Sequence, residues 1–231
     1  MKINVFLKEN ALIRIKKIVL GFFILFLILP VSGNAQEEPF AKNGFYIGGM
    51  FPFNTIGGDF DGEMILVGGS DVILVPEVES GTGFGISLGL RSYQGAIELD
   101  YLRSRHDVKF LGIKFGEADY NMVNINGKYF FNMSQPAQPF LMAGMNIPWL
   151  VVENGSANAT TVGDGFFYGV GLNLGGGLSY YFTPRIVLNL ALIYRVIGYY
   201  TAEGVNGTRD EIKDPLFGGG LGINTGMAFT F

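Results

Sequence analysis

The chain contains no cysteine and only one histidine, His106. Without cysteine there is no disulfide framework, no thiolate metal site and no lipidated N-terminal cysteine. One histidine excludes a His-rich metal centre. Charge is sparse, at 16% of residues, and its balance is acidic: from Gln36 onward 11 Lys and Arg stand against 19 Asp and Glu, a net charge of −8. A nucleic-acid surface needs a basic stripe, which that balance does not supply. The one glycine-rich stretch with the look of a phosphate loop, Gly81-Thr82-Gly83-Phe84-Gly85, is followed by no helix whose N-terminus could hold phosphate. Neither a cofactor nor a metal is expected.

Long apolar runs are also missing, with one exception near the N-terminus. Lys8, Arg14, Lys16 and Lys17 precede a run of twelve residues from Ile18 to Leu29. Pro30 and the small-residue site Gly33-Asn34-Ala35 follow. Twelve residues suit a signal-peptide core and fall short of the ~20 that a spanning helix needs. Residues 1–35 are therefore expected to be a signal peptide, 36–43 a short periplasmic segment, and 44–231 the folded domain.

What the chain has in quantity is glycine, 35 residues of 231, set inside alternating runs. Read back from Phe231 in steps of two, the last segment gives Phe229, Met227, Thr225, Ile223 and Leu221 on one face, with Thr230, Ala228, Gly226, Asn224 and Gly222 on the other. One lipid-compatible face and one small or polar face are the mark of a transmembrane β-barrel strand. Eight segments follow this pattern: Gly44 to Phe51, Thr82 to Tyr93, Ala96 to His106, Tyr120 to Phe131, Phe140 to Val152 (interrupted by Pro148), Phe167 to Phe182, Ile186 to Tyr199, and Leu216 to Phe231. Most exceed the ~9–11 residues a tilted strand needs to cross a bilayer.

The connections alternate in length. Gln94-Gly95, Asn132 to Pro139 and Thr183-Pro184-Arg185 are short, whereas 53–81, 107–118, 153–165 and 200–215 are long and polar. Short periplasmic turns facing long outer loops are the pattern of outer-membrane barrels. Pairing Tyr93 with Ala96 sets Arg91 opposite Glu98 in the bore. Pairing Phe182 with Ile186 sets Leu178 against Leu190 outside, and Ser179 against Asn189 and Asn173 against Arg195 inside. A slip of one residue would destroy both matches.

With these features the chain resembles the OmpA/OmpX-type family of small eight-stranded outer-membrane β-barrels. The resemblance rests on the signal segment, the opening Gly44-Phe45-Tyr46-Ile47-Gly48-Gly49, the unit Tyr181-Phe182-Thr183-Pro184 and the closing Met227-Ala228-Phe229-Thr230-Phe231. It implies an all-β, antiparallel up-and-down barrel in the outer membrane of a Gram-negative bacterium. It also implies contact with outer-membrane lipid and lipopolysaccharide, and an assembly signal for the barrel-assembly machinery at Phe229 and Phe231. No peptidoglycan-binding domain is expected after the last strand.

Eight strands leave a bore just wide enough for side chains to fill. Arg91, Glu98, Asp100, Asn124, Asn126, Lys128, Asn189 and Arg195 are expected to fill it as a polar plug, with Tyr46 and Tyr181. The alternative is a narrow channel or small-solute-binding, porin-like barrel. Ser104 and His106, two apart on one face, raise a third reading, a lipid A-directed hydrolase. Asp107 points the wrong way by parity and Asp100 lies deeper, so a base with an orienting group is not assembled and no enzyme is expected. In the first loop Met64 to Val67 and Val72 to Val75 read as a hairpin, either a lid on the mouth or a protruding sheet. Val108 to Phe115 reads as an extension of strands three and four above the membrane, open to an extracellular protein or host surface. The chain is read as a monomeric structural or surface-interaction barrel.

Overall fold

Alternation of side chains about an extended backbone decides the whole architecture. The computed structural model describes residues 39–67, 71–157, 161–205, 207 and 209–231. The expected signal peptide and the tip of the first-loop hairpin lie outside them. Twelve strands follow in order: β1 Gly44–Asn54, β2 Gly57–Gly58, β3 Glu63–Val67, β4 Asp71–Val75, β5 Glu77–Val78, β6 Gly81–Ser92, β7 Gly95–Phe110, β8 Ile113–Phe130, β9 Ala137–Ala157, β10 Val162–Thr183, β11 Ile186–Glu203 and β12 Arg209–Thr230. The eight long ones pair antiparallel in sequence, and β12 returns to β1, with Tyr46 opposite Thr230 and Asn54 opposite Gly222. Closure leaves none of the eight with a free edge across the membrane. Outward positions are apolar and exposed to lipid, for example Phe84, Ile86, Leu88 and Leu90 on β6 and Leu188, Leu190 and Leu192 on β11. Phe229 and Phe231 lie on that face, with ring centroids 5.3 Å apart.

The three short turns fall at one end. There Ala41 packs with Tyr181, Val187 and Ala228, and the backbone of Phe40 and Lys42 bonds to Met133 and Pro184, so residues 39–43 lie across the end that carries the short turns. At the other end three of the expected loops are largely strand. As expected of Val108 to Phe115, β7 and β8 run on to a two-residue turn, Leu111-Gly112, whose φ of +51° and +76° fit a type I′ hairpin. β9–β10 and β11–β12 likewise extend past the expected strand ends. The reason is that above the membrane the outer face meets water. Ion pairs such as Arg105–Glu117, Lys114–Asp107 and Arg209–Glu203 replace apolar side chains there, so the hydropathy alternation fades while the ladder continues.

Two further expectations are corrected. The β6–β7 hairpin closes with Ser92 opposite Gly95, around Tyr93-Gln94 with Tyr93 at φ +45°, and not around Gln94-Gly95. Arg91 therefore faces Ala96 and Glu98 faces Gly89: Arg91 and Glu98 are not a pair. The register differs by two residues, which preserves faces, so both still point inward. The β10–β11 hairpin has Leu178 opposite Leu190, Ser179 opposite Asn189 and Asn173 opposite Arg195, with a bulge near Tyr181 that moves Thr183 opposite Ile186. Pro148 sits within an unbroken β9; only the ladder to β10 lapses there, between Trp149–Tyr168 and Asn146–Gly171.

Candidate functional site

The bore is filled in layers. Near the periplasmic end the buried Arg91 guanidinium donates to Tyr181 Oη and to Gln138 Oε1 (2.5 Å) and lies 4.0 Å from the Phe130 ring centroid. Above it Lys128 Nζ meets Glu98 Oε1 at 2.6 Å, and Tyr46 donates to Glu98 Oε2 at 2.7 Å. Gly89, opposite Glu98, makes room for the Tyr46 ring: a Cβ there would fall 2.2 Å from Tyr46 Cζ. Asn126 Nδ2 donates to Asp100 Oδ2 at 2.8 Å. Asn146 donates to Asn173, which donates in turn to Asn124 and Asn126. Seven of the eight residues expected in the plug are buried there; Asn189 is half-buried and accepts from Ser179. Buried charges of this kind are costly unless they are paired or hydrogen-bonded.

Three members of the network were not anticipated: Asn54, Gln138 and Asn146. Asn54 follows the inward parity of Tyr46 past the expected end of strand one. Gln138 lies in what reads as a turn, and Asn146 in the least regularly patterned strand.

Ser104 and His106 do come together, but as part of this packing. Arg195 Nη1 donates to Asn54 Oδ1 (2.9 Å), Asn54 Nδ2 to Ser104 Oγ (3.3 Å), and Ser104 Oγ to His106 Nε2 (2.9 Å). His106 Nδ1 lies 2.7 Å from the Glu79 carbonyl. A carbonyl only accepts, so Nδ1 carries the proton and Nε2 of the neutral ring is the acceptor. Both side chains are 1% exposed, and Asp107 faces outward on Lys114 Nζ at 2.8 Å. His106 lies above the lipid band, which ends where Tyr101 and Trp149 give way outside to Arg103, Arg105 and Asp119. Burial pushes its pKa below the ordinary imidazole value, and the bond to the Glu79 carbonyl only partly offsets this.

Around the Ser104–His106 chain the extracellular end of the bore is mainly apolar. Ile56, Phe60, Ile73, Val75 and Val78 of the first connection pack on Leu102, Val108, Tyr120, Leu150, Phe167 and Tyr199 of the wall. Phe60 makes edge contacts with Phe167 and Tyr199, with centroids 5.6 and 5.1 Å apart. β4 joins the end of β9, and β5 pairs with β7 through Val78–Val108. The hairpin is thus a lid seated in the mouth.

Outside, the β7–β8 hairpin carries Arg103–Asp119 (2.5 Å), Arg105–Glu117 (3.4 Å) and Lys114–Asp107 on its outer face. Beyond them Leu111 is 77% and Ile113 72% exposed.

A family model described as outer membrane protein beta-barrel domain matches residues 22–224. Neisserial surface protein A shares 18% identity over 81% of this chain and 97% of its own, with a TM-score of 0.51. OprG from Pseudomonas aeruginosa aligns at 16% identity, 83% and 97% coverage and a TM-score of 0.48. Ail of Yersinia pestis aligns at 12%, 81% and 100% coverage and 0.45. A comparison with curated protein sequences finds no match. The closed antiparallel ring, its lipid-facing apolar wall and the family match over most of the chain agree: the chain belongs to the outer membrane β-barrel family and is a Gram-negative outer-membrane protein.

Proposed function

We propose that the protein works through its extracellular face, on a barrel whose bore is closed. The observation that carries this reading is the contrast between the two ends of β7–β8. Inside, Leu102, Val108, Tyr120 and Met122 are sealed under the lid. Outside, Leu111 and Ile113 stand in water beyond a belt of ion pairs, roughly 30 Å of strand past Tyr101. Apolar side chains held out of both lipid and core mark an interaction surface. Loops on a rigid scaffold are where recognition usually sits.

On this reading the partner is an extracellular protein or host surface, the barrel is a monomer held in lipid and lipopolysaccharide, and residues 1–35 direct export and are removed. The bore residues give mechanical closure, and His106, oriented by Ser104, ties the first connection to the wall at the Glu79 carbonyl. The test is surface binding by cells carrying the intact protein, compared with Leu111→Asn/Ile113→Asn and with a variant lacking 107–118, while purified barrels are assayed for conductance in planar bilayers. Binding should fall with both variants, and the intact barrel should be electrically silent. Unchanged binding, or steady conductance abolished by Glu98→Ala, would replace this reading with a narrow channel.

A further inference from the structure

Midway down the bore a cavity of about 40 Å³ is bordered by Ser87, Glu98, Asp100, Lys128, Asn189 and Asn224. Its hydrogen-bonding is lopsided. Glu98 has Lys128 on one oxygen and Tyr46 on the other, and its carboxylate also lies within hydrogen-bonding reach of the Asp100 carboxyl, so a proton or a cation must stand between the two acceptors. Asp100 has Asn126 on Oδ2, but Oδ1 has no partner among the described residues, although the side chain is 96% buried. On the opposite wall Asn224 Oδ1 is equally without a partner, its amide nitrogen meeting only Met50 Sδ at 3.7 Å. Ser87 stands directly across the β6–β7 ladder from Asp100. Two buried acceptors that lack donors therefore border one small space, and a buried acceptor left alone is costly.

With Asp100 ionised, the three charged groups on this space, Glu98, Asp100 and Lys128, sum to one negative charge. Lys128 is committed to Glu98, so Asp100 has no ion-pair partner among the described residues. A single water occupies about 10–15 Å³ by this measure of volume, so the cavity holds one small ion with one or two waters. Two carboxylates, only one of them free, suit a monovalent cation better than a divalent one, which takes six or more oxygens.

We propose that the Asp100–Asn224 cavity is a binding site for a monovalent cation of about sodium size, held by Asp100 Oδ1 and Asn224 Oδ1.

The test is thermal unfolding of the refolded full-length barrel in detergent, in sodium chloride and in choline chloride at equal ionic strength. Choline is too large for the cavity. At a sodium concentration about a hundred times the Kd the midpoint should rise by roughly 5–10 °C over choline. The rise should vanish in Asp100→Asn, which keeps the bond from Asn126, and shrink in Asn224→Ala. Crystals soaked in rubidium should show an anomalous peak between the two side chains. Equal midpoints in the two salts for the unaltered protein mean that water or a proton satisfies Asp100, and overturn the proposal. So does a sodium effect that persists in Asp100→Asn.

Discussion

Removing the Lys128 ammonium by Lys128→Met strands Glu98 inside the barrel. The pair is 2.6 Å long, and the two side chains are 8% and 6% exposed, so neither charge can turn to bulk water. Breaking a buried pair from one side costs about 3–5 kcal/mol, because the surviving charge keeps its desolvation penalty and loses its counter-ion. Tyr46 still donates to Glu98, and the adjoining cavity admits water, so the lower end of that range is expected. About 3 kcal/mol is more than a hundredfold in the unfolding equilibrium. For a chain of this length it corresponds to a fall of roughly 6–12 °C in the midpoint. The measurement is reversible unfolding of refolded barrels in urea or by heat, with Lys128→Met, Glu98→Gln and the double variant compared in a cycle. The double variant should recover most of the loss, since Glu98→Gln removes the charge that Lys128→Met strands. A loss below about 1 kcal/mol in Lys128→Met, or a double variant no better than it, would refute the claim that this buried pair holds the barrel together.

Gly89→Val should destabilise the barrel by about 1–3 kcal/mol through overpacking against the Tyr46 ring, while Gly49→Ala, whose Cβ meets nothing within 4 Å, should be neutral in the same unfolding assay. For His106 the folded-state pKa lies below the unfolded one, so the unfolded chain binds the proton first. The seating of the lid should weaken as pH falls below about 6.5. Protection factors for amide exchange over 71–78, taken relative to the intrinsic rate at each pH, should fall between pH 7.5 and 5.5 in the native protein, and His106→Gln should flatten that dependence. Ile73→Asp puts a charge into the fully buried lid contact; it should unseat the lid, read as faster proteolysis of the first connection while the barrel stays heat-modifiable on gels.

The alternation of apolar with small or polar residues was enough to identify an all-β barrel and to assign faces. Phe84, Ile86 and Leu88 against Gly83, Gly85 and Ser87 admit one reading, because a period of two has only two sides and lipid accepts only one of them. The same parity put Arg91, Glu98, Asp100, Asn124, Asn126, Lys128 and Arg195 into the bore. Parity is blind to a shift of two, however. Whether Arg91 meets Glu98 was decided by a turn in which Tyr93, not glycine, takes the positive φ. Hydropathy is equally blind to which apolar medium a side chain enters. Leu102, Met122 and Leu150 face inward yet are as apolar as the lipid-facing wall, and only the folded lid, which brings Phe60, Ile73 and Val75 to them from tens of residues away, shows that the upper bore is an oily plug. Above the membrane the outer face pairs charge with charge; Val108 to Phe115 around Gly112 still read as an extension of strands three and four, but the extensions of β9–β10 and β11–β12 carried no amphipathic signal. Their ladder was fixed by cross-strand pairing, which single-chain periodicity does not record.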